Sequence, residues 1–167
     1  VVATQQGGMG KMTYSVSGVP ELQAKFAAAP AKIRIKIMAD LNKYGVVIAS
    51  ALRAKAPKDQ GNLRAGIHSD PMLAAGDLAV ITIRGSASYT MAVDKGTAPH
   101  FPPSAALVGW ATRHPMAGVS PQQSAFLIAR AISKRGTRAQ DFIDPVLLPA
   151  EREVASVINK SLGQVTL

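Results

Sequence analysis

The fold class this sequence predicts is α+β: one long N-terminal helix packed on a small antiparallel sheet, followed by C-terminal helices. Three observations predict it. Ile33, Ile37, Leu41, Tyr44, Ile48 and Leu52 recur every three or four residues, which lays a continuous apolar stripe along one helical face. Two short runs, around Tyr14 and around Val80, alternate with the period of strands. The later apolar segments are punctuated by serine, proline and glycine at the positions where helices start and stop. A chain of 167 residues suits one domain. Residues 1–10, small, polar and glycine-containing, are expected to form a flexible N-terminal arm, and 11–167 a single α+β domain.

In Lys11–Ser17, Met12, Tyr14 and Val16 alternate with Thr13, Ser15 and Ser17, which predicts a strand ended by Gly18 and Pro20. Glu21–Ala29 is a short helix candidate interrupted by Pro30. The long helix then runs from Ala31 to Ala56, and Pro57 forces its end. Gly45 in its middle costs about 1 kcal/mol relative to alanine, so it marks a close approach of another backbone. Lys58-Asp-Gln-Gly61 has turn chemistry, with Gly61 free to take a positive φ. Asn62–Ser69 reads as a strand, and Leu78–Arg84 as another that is apolar on both faces and therefore central or covered.

Tyr89–Asp94 is a strand or a helical turn closing on Gly96. The prolines of Ala98–Pro103 exclude a regular element there. Ser104 is an N-cap candidate for a helix over Ala105–His114 with Leu107, Val108, Trp110 and Ala111 on its apolar face. Ser120-Pro121-Gln122-Gln123 combines an N-cap serine, proline at the first helical position and glutamine three residues on. That helix is expected to reach Lys134, with Ala125, Leu127, Ile128, Ala131 and Ile132 inside and Arg135-Gly136 ending it. Phe142, Ile143, Val146 and Leu147 anchor the return to a last helix from Pro149 to Leu162.

There is no cysteine, so neither disulfides nor thiolate metal sites support this fold. No apolar run reaches the roughly 20 residues of a membrane helix, and residues 1–10 lack a signal-peptide pattern, so a cytosolic, soluble chain is expected. The net charge of +9 implies attraction to polyanions, whether DNA phosphates or acidic faces of partner subunits. The cations gather in two places. Lys32, Arg34, Lys36, Lys43, Arg53 and Lys55 decorate the long helix against the single acid Asp40, and Arg130, Lys134, Arg135 and Arg138 form a second cluster. Lys32, Lys36, Lys43 and the whole second cluster are the candidate contacts to DNA or to an acidic partner, with a solvated face as the plain alternative.

No catalytic constellation is legible. The histidines, His68, His100 and His114, are scattered and match no metal-ligand spacing, and no nucleophile elbow or phosphate loop is present. Asp141 and Asp144 are read as a cap or an ion pair with Arg138. The expectation is a protein that is not an enzyme and has no cofactor or metal.

Three blocks in order carry a resemblance to a known family. They are Ala56-Pro57 with Gly61-Asn62-Leu63-Arg64 and Ile67; Tyr89, Val93, Gly96-Thr97, Pro99–Pro103 and Trp110; and Arg130-Ala-Ile with Arg135-Gly136-Thr137-Arg138, Phe142 and Pro145. Together they resemble the small tail-component proteins of long-tailed bacteriophages, over roughly Val16 to Leu162. Gln60, where threonine is usual, and Asp94-Lys95, in place of an acidic-aromatic pair, depart from the pattern.

The resemblance implies a structural virion protein: a neck or tail-completion subunit in a homo-oligomeric ring, a hexamer or dodecamer, joining the head connector to the tail. Its implied neighbours are the head-closure protein, the tail terminator or tail tube protein, and packaged double-stranded DNA. Its implied location is the virion's head-tail junction, after assembly in the host bacterial cytoplasm, without a membrane. Gly96, Thr97, Pro99, His100, Phe101, Pro102 and Pro103 are expected at the subunit interface, together with the N-terminal arm. Two alternatives are a tail terminator capping the tail tube and, in another class, a basic DNA-binding accessory protein. A small hydrolase would need a titratable cluster that the sequence lacks.

Overall fold

Ala31–Lys55 forms the expected long helix, α1, of 25 residues in this computed structural model, which describes residues 2–5, 12–17, 24, 27–71, 74–75 and 78–163. The residue before Pro57 is barred from helical torsions, and Ala56 is accordingly extended at φ −59°, ψ 139°. The buried residues of α1 are Ile37, Leu41, Gly45, Ile48, Ala49 and Leu52. The predicted stripe therefore faces the core, with Ile33 and Tyr44 half-buried at its edge. The Glu21–Ala29 helix candidate falls largely outside the described residues.

The chain divides into two units, Val1–Met91 with Asp141–Leu167, and Ala92–Gln140. In the first, β1 (Val2–Gln5), β2 (Met12–Ser17), β3 (Ile67–Ser69), β4 (Ala74–Ala75) and β5 (Leu78–Gly85) form an antiparallel sheet in the order β1-β2-β5-β3, with β4 paired to β5. β5 is central as expected, and its Ile81 and Ile83 are 4% and 1% exposed. Where the sequence predicts an arm, Val2–Gln5 pairs with β2 in the register Val2↔Ser17 to Gln5↔Tyr14. Such pairing uses backbone donors and acceptors, so a polar stretch adopts it without a hydrophobic signature. Val1 and residues 6–10 of the predicted arm lie outside the described residues.

The predicted strand over Asn62–Ser69 is corrected to a helical turn, α2 (Asn62–Ala65), followed by β3. Gly61, at φ 89°, starts the turn, and its carbonyl accepts from Ala65 N at 2.9 Å. Leu63 is buried, and Arg64 Nε donates back to the Ala56 carbonyl at 2.8 Å, capping an open end of α1. This long-range cap outweighs the short alternation that reads as a strand. Gly45 marks a close approach, as expected, but to side chains: a Cβ there would stand 2.5 Å from Ser69 Oγ and 3.0 Å from Ile81 Cγ2. The long helix thus lies against β3 and β5 through a missing side chain.

The last helix, α6, spans Asp144–Gly163, starting five residues before the predicted Pro149. Phe142, Ile143 and Leu147 are buried at its start, and Val146 N and Leu147 N both donate to Ile143 O at 3.0 Å. Burial of this first turn offsets the bond that Pro149 cannot make. α6 runs antiparallel to α1: Tyr44 Oη donates to the Ala150 carbonyl at 3.1 Å and to Glu153 Oε2 at 2.9 Å, while Ser161 Oγ donates to Asp40 Oδ2 at 2.8 Å.

Asp40 also receives Lys36 Nζ at 3.1 Å and Lys43 Nζ at 3.6 Å. The Ser161 hydroxyl first, and then the Lys36 ammonium, hold its carboxyl below the usual carboxylate range. A depressed acid contributes stability that is present above its unfolded-state pKa and is lost as pH falls through the folded value. The wild-type chain should therefore lose stability on acidification below about pH 4 more steeply than Asp40→Asn. Urea unfolding of both proteins across that range checks it, and parallel pH curves would refute the role of Asp40.

In the second unit, α4 (Ser104–Arg113) and α5 (Pro121–Arg135) pack on each other, and α3 (Thr90–Lys95) spans the boundary between the units in the chain. Ala111, Ala125 and Ala129 are fully buried, so small side chains form the α4–α5 seam. The capping box is present: Gln123 N donates to Ser120 Oγ and Ser120 N to Gln123 Oε1, both at 3.3 Å. Ser104 is not a cap. Pro103 occupies that place without a side-chain bond, and the helix opens one residue earlier than predicted.

Trp110, predicted on the apolar face of its helix, and Leu127, predicted inside, are each 43% exposed, because the two helices bury little beyond their alanine seam. Ser124 Oγ on α5 is buried and finds no hydrogen-bond partner among the described residues. Removing that hydroxyl in Ser124→Ala should leave stability unchanged or raise it by about 1 kcal/mol. A loss in thermal unfolding would show that the hydroxyl has a partner in solution.

Candidate assembly surfaces

The loop predicted as a subunit contact divides into two parts with different surroundings. Gly96 and Thr97 form an internal clasp of the second unit. Thr97 and Thr137 pair as an isolated antiparallel bridge, N to O at 3.3 and 3.2 Å, with their hydroxyls 3.0 Å apart. Gly96 and Gly136, at φ 72° and 70°, precede the two threonines, and a Cβ on either would run into the opposite backbone.

Pro99, His100, Phe101 and Pro103 are exposed, and Pro102 is half-buried. His100 Nδ1 lies 2.9 Å from the Ala98 carbonyl, to which one tautomer donates. Phe101 is 56% exposed and meets Phe126 edge to face at 6.3 Å. An open groove lined by Val119, Gln122, Gln123, Phe126 and Leu127 runs along α5.

The basic candidates fall into two sets. On α1, Lys32 and Lys43 are exposed and Lys36 half-buried, with Lys36 and Lys43 both engaged by Asp40. Arg53 of the same helix donates to the Ile67 carbonyl at 3.3 Å and serves the fold. In the second unit Arg130, Lys134, Arg135 and Arg138 are all exposed. The acids Asp94 and Asp70 are taken by Lys95, at 3.2 Å, and by Arg84, respectively.

Sequence reasoning missed the clasp and the exposed apolar side chains. The clasp had one signal, since the dipeptide Gly-Thr occurs at both 96–97 and 136–137. Ile35, Val46 and Val47 are 68%, 57% and 60% exposed on α1, and Phe126 is 51% exposed on α5. Nothing in the helical period flags them, because the period marks only the buried side.

Among the described residues no group of histidines and carboxylates could hold a metal ion, and no helix is long and apolar enough to cross a membrane. The folded parts thus define a small α+β protein with several exposed apolar and basic surfaces. Residues 21–96 match a family described as "Bacteriophage HK97-gp10, putative tail-component". That matched segment carries α1, α2, β3, β4, β5 and α3, in agreement with the first block of the resemblance to the tail-component proteins of tailed bacteriophages. The run Pro99–Pro103 and the block Arg130–Pro145 lie beyond the matched segment. No curated protein and no solved structure matches the chain.

Proposed function

We propose that this chain is a non-enzymatic ring subunit at the head-tail junction of a tailed phage, a neck or tail-completion protein joining the head connector to the tail. The carrying observation is the match of residues 21–96 to a tail-component family. Exposed large apolar side chains in both units support it, since such side chains together mark surfaces that are covered in an assembly. A ring closed by rotation needs two different complementary faces on each subunit. In this reading the ring, hexameric or dodecameric, contacts the head-closure protein on one side and the terminator or tube on the other. Packaged DNA passes near one of the two basic clusters. The exposed Pro99–Pro103 loop and the N-terminal segment serve as contacts.

The tail terminator is the second reading, with which the same family match is equally compatible. Particles made without this chain separate the two. A joining protein leaves tails of normal length unattached to filled heads, whereas loss of a terminator gives overlong tubes. Complete infectious particles would exclude both. The net charge of +9 supports the third reading, a DNA-binding accessory protein. That protein would bind free duplex with steep salt dependence and without forming a ring.

A further inference from the structure

The outward face of α1 combines charge and apolar surface in a way that names its partner. Ile35, Ala39 and Val46 follow at spacings of four and seven, so they share one line along the helix, and all three are exposed. Lys32, Lys36 and Lys43 run beside that line, and the one acid of the helix, Asp40, sits at its margin, bonded to Ser161 of α6 and shared between Lys36 and Lys43, so that three cations face one anion. Phosphates would satisfy the lysines but leave Ile35 and Val46 with nothing to pack on. A protein ridge with an apolar centre and flanking carboxylates satisfies both.

The same unit carries such a ridge. Along α6, Asp144, Leu148 and Glu151 stand at i, i+4 and i+7, with Leu148 55% exposed between two half-buried carboxylates and Arg152 at the edge. Within one copy α1 and α6 are joined through other sides, at Tyr44–Ala150 and Asp40–Ser161, so the two outward stripes of one chain do not meet. A second copy brings them together.

The geometry points to a contact between two copies of this chain, in which the lysine-flanked stripe of α1 in one receives the Asp144–Leu148–Glu151 stripe of α6 in the next. Each copy then offers both halves of the contact, which is the heterologous arrangement that closes rings. The inference rests on the ring reading above and supplies its interface.

Sedimentation of the chain and its charge variants tests it. The wild type should assemble, while Lys32→Glu/Lys43→Glu alone and Asp144→Lys/Glu151→Lys alone should each need at least tenfold higher concentration. An equimolar mixture of the two variants should recover assembly, since it restores native pairing at one contact and reversed pairing at the next. Leu148→Ser, which leaves every charge in place, should weaken assembly in the same direction. If the wild type assembles and the charge variants and Leu148→Ser assemble equally well, this interface is wrong and the ring reading stands. If the mixture stays dissociated while circular dichroism shows both variants folded, the complementarity is refuted. A wild type that stays monomeric at every concentration, with duplex DNA binding lost in the lysine variant, overturns both and gives the face to DNA.

Discussion

Gly136→Ala is expected to unfold the second unit under conditions where the first remains folded. Gly136 sits at φ 70°, a conformation that costs a residue with a Cβ about 1–2 kcal/mol before any contact is considered. The added methyl would also collide with the Thr97 carbonyl and the Ala98 backbone across the clasp. Backbone on the far side cannot rotate away as a side chain would, so relief requires the two strands to part. Parting them loses both Thr97–Thr137 backbone bonds and the bond between their hydroxyls. The total loss should be about 3 kcal/mol or more. The chain has one tryptophan, Trp110, and it lies on α4 in this unit, so its fluorescence reports the clasp's loss directly during urea unfolding. Gly96→Ala acts on the same contact and should not add to Gly136→Ala. A Gly136→Ala protein with an unchanged midpoint would show that the clasp does not hold the unit together.

Leu52→Ala should destabilise the first unit by about 2–5 kcal/mol. Leu52 is fully buried on α1, and truncation there removes apolar contacts and leaves a cavity that the rigid helix cannot fill. Ile35→Ala on the same helix is the internal control. Ile35 is 68% exposed, so its loss should stay within about 0.5 kcal/mol in the isolated chain. Thermal unfolding followed by far-ultraviolet circular dichroism distinguishes the two variants. Equal effects would mean that the predicted stripe is not the buried one.

Legibility in the sequence followed how local each cause is. The long helix, the capping box at Ser120, the stop at Gly136 and the central strand at Leu78–Gly85 each depend on spacing or on a few adjacent residues. The helical turn at Asn62–Ala65 is not legible in the sequence because its anchor, the bond from Arg64 to the Ala56 carbonyl, joins residues whose relation only the folded chain displays. Proline's preference for first turns predicts a helix start at Pro149. Burial of Ile143 and Leu147 outweighs that preference and moves the start to Asp144. Apolar character predicts Leu127 inside and Trp110 on the apolar face of its helix. Their exposure reflects a seam built from alanines, which no hydropathy pattern separates from a larger core.

On the candidate surfaces the division is the same. The two basic clusters, the proline loop and the tail-component resemblance are properties of the linear chain, as is the absence of cysteine. The folded chain alone decided that Gly96-Thr97 closes on Gly136-Thr137, and that Ile35 and Val46 remain uncovered between lysines. It also decided that Leu148 stands between two carboxylates on α6. Local torsion and periodicity act over a few residues and are written in their order. Burial depends on which distant segments arrive alongside, and that is a property of three dimensions.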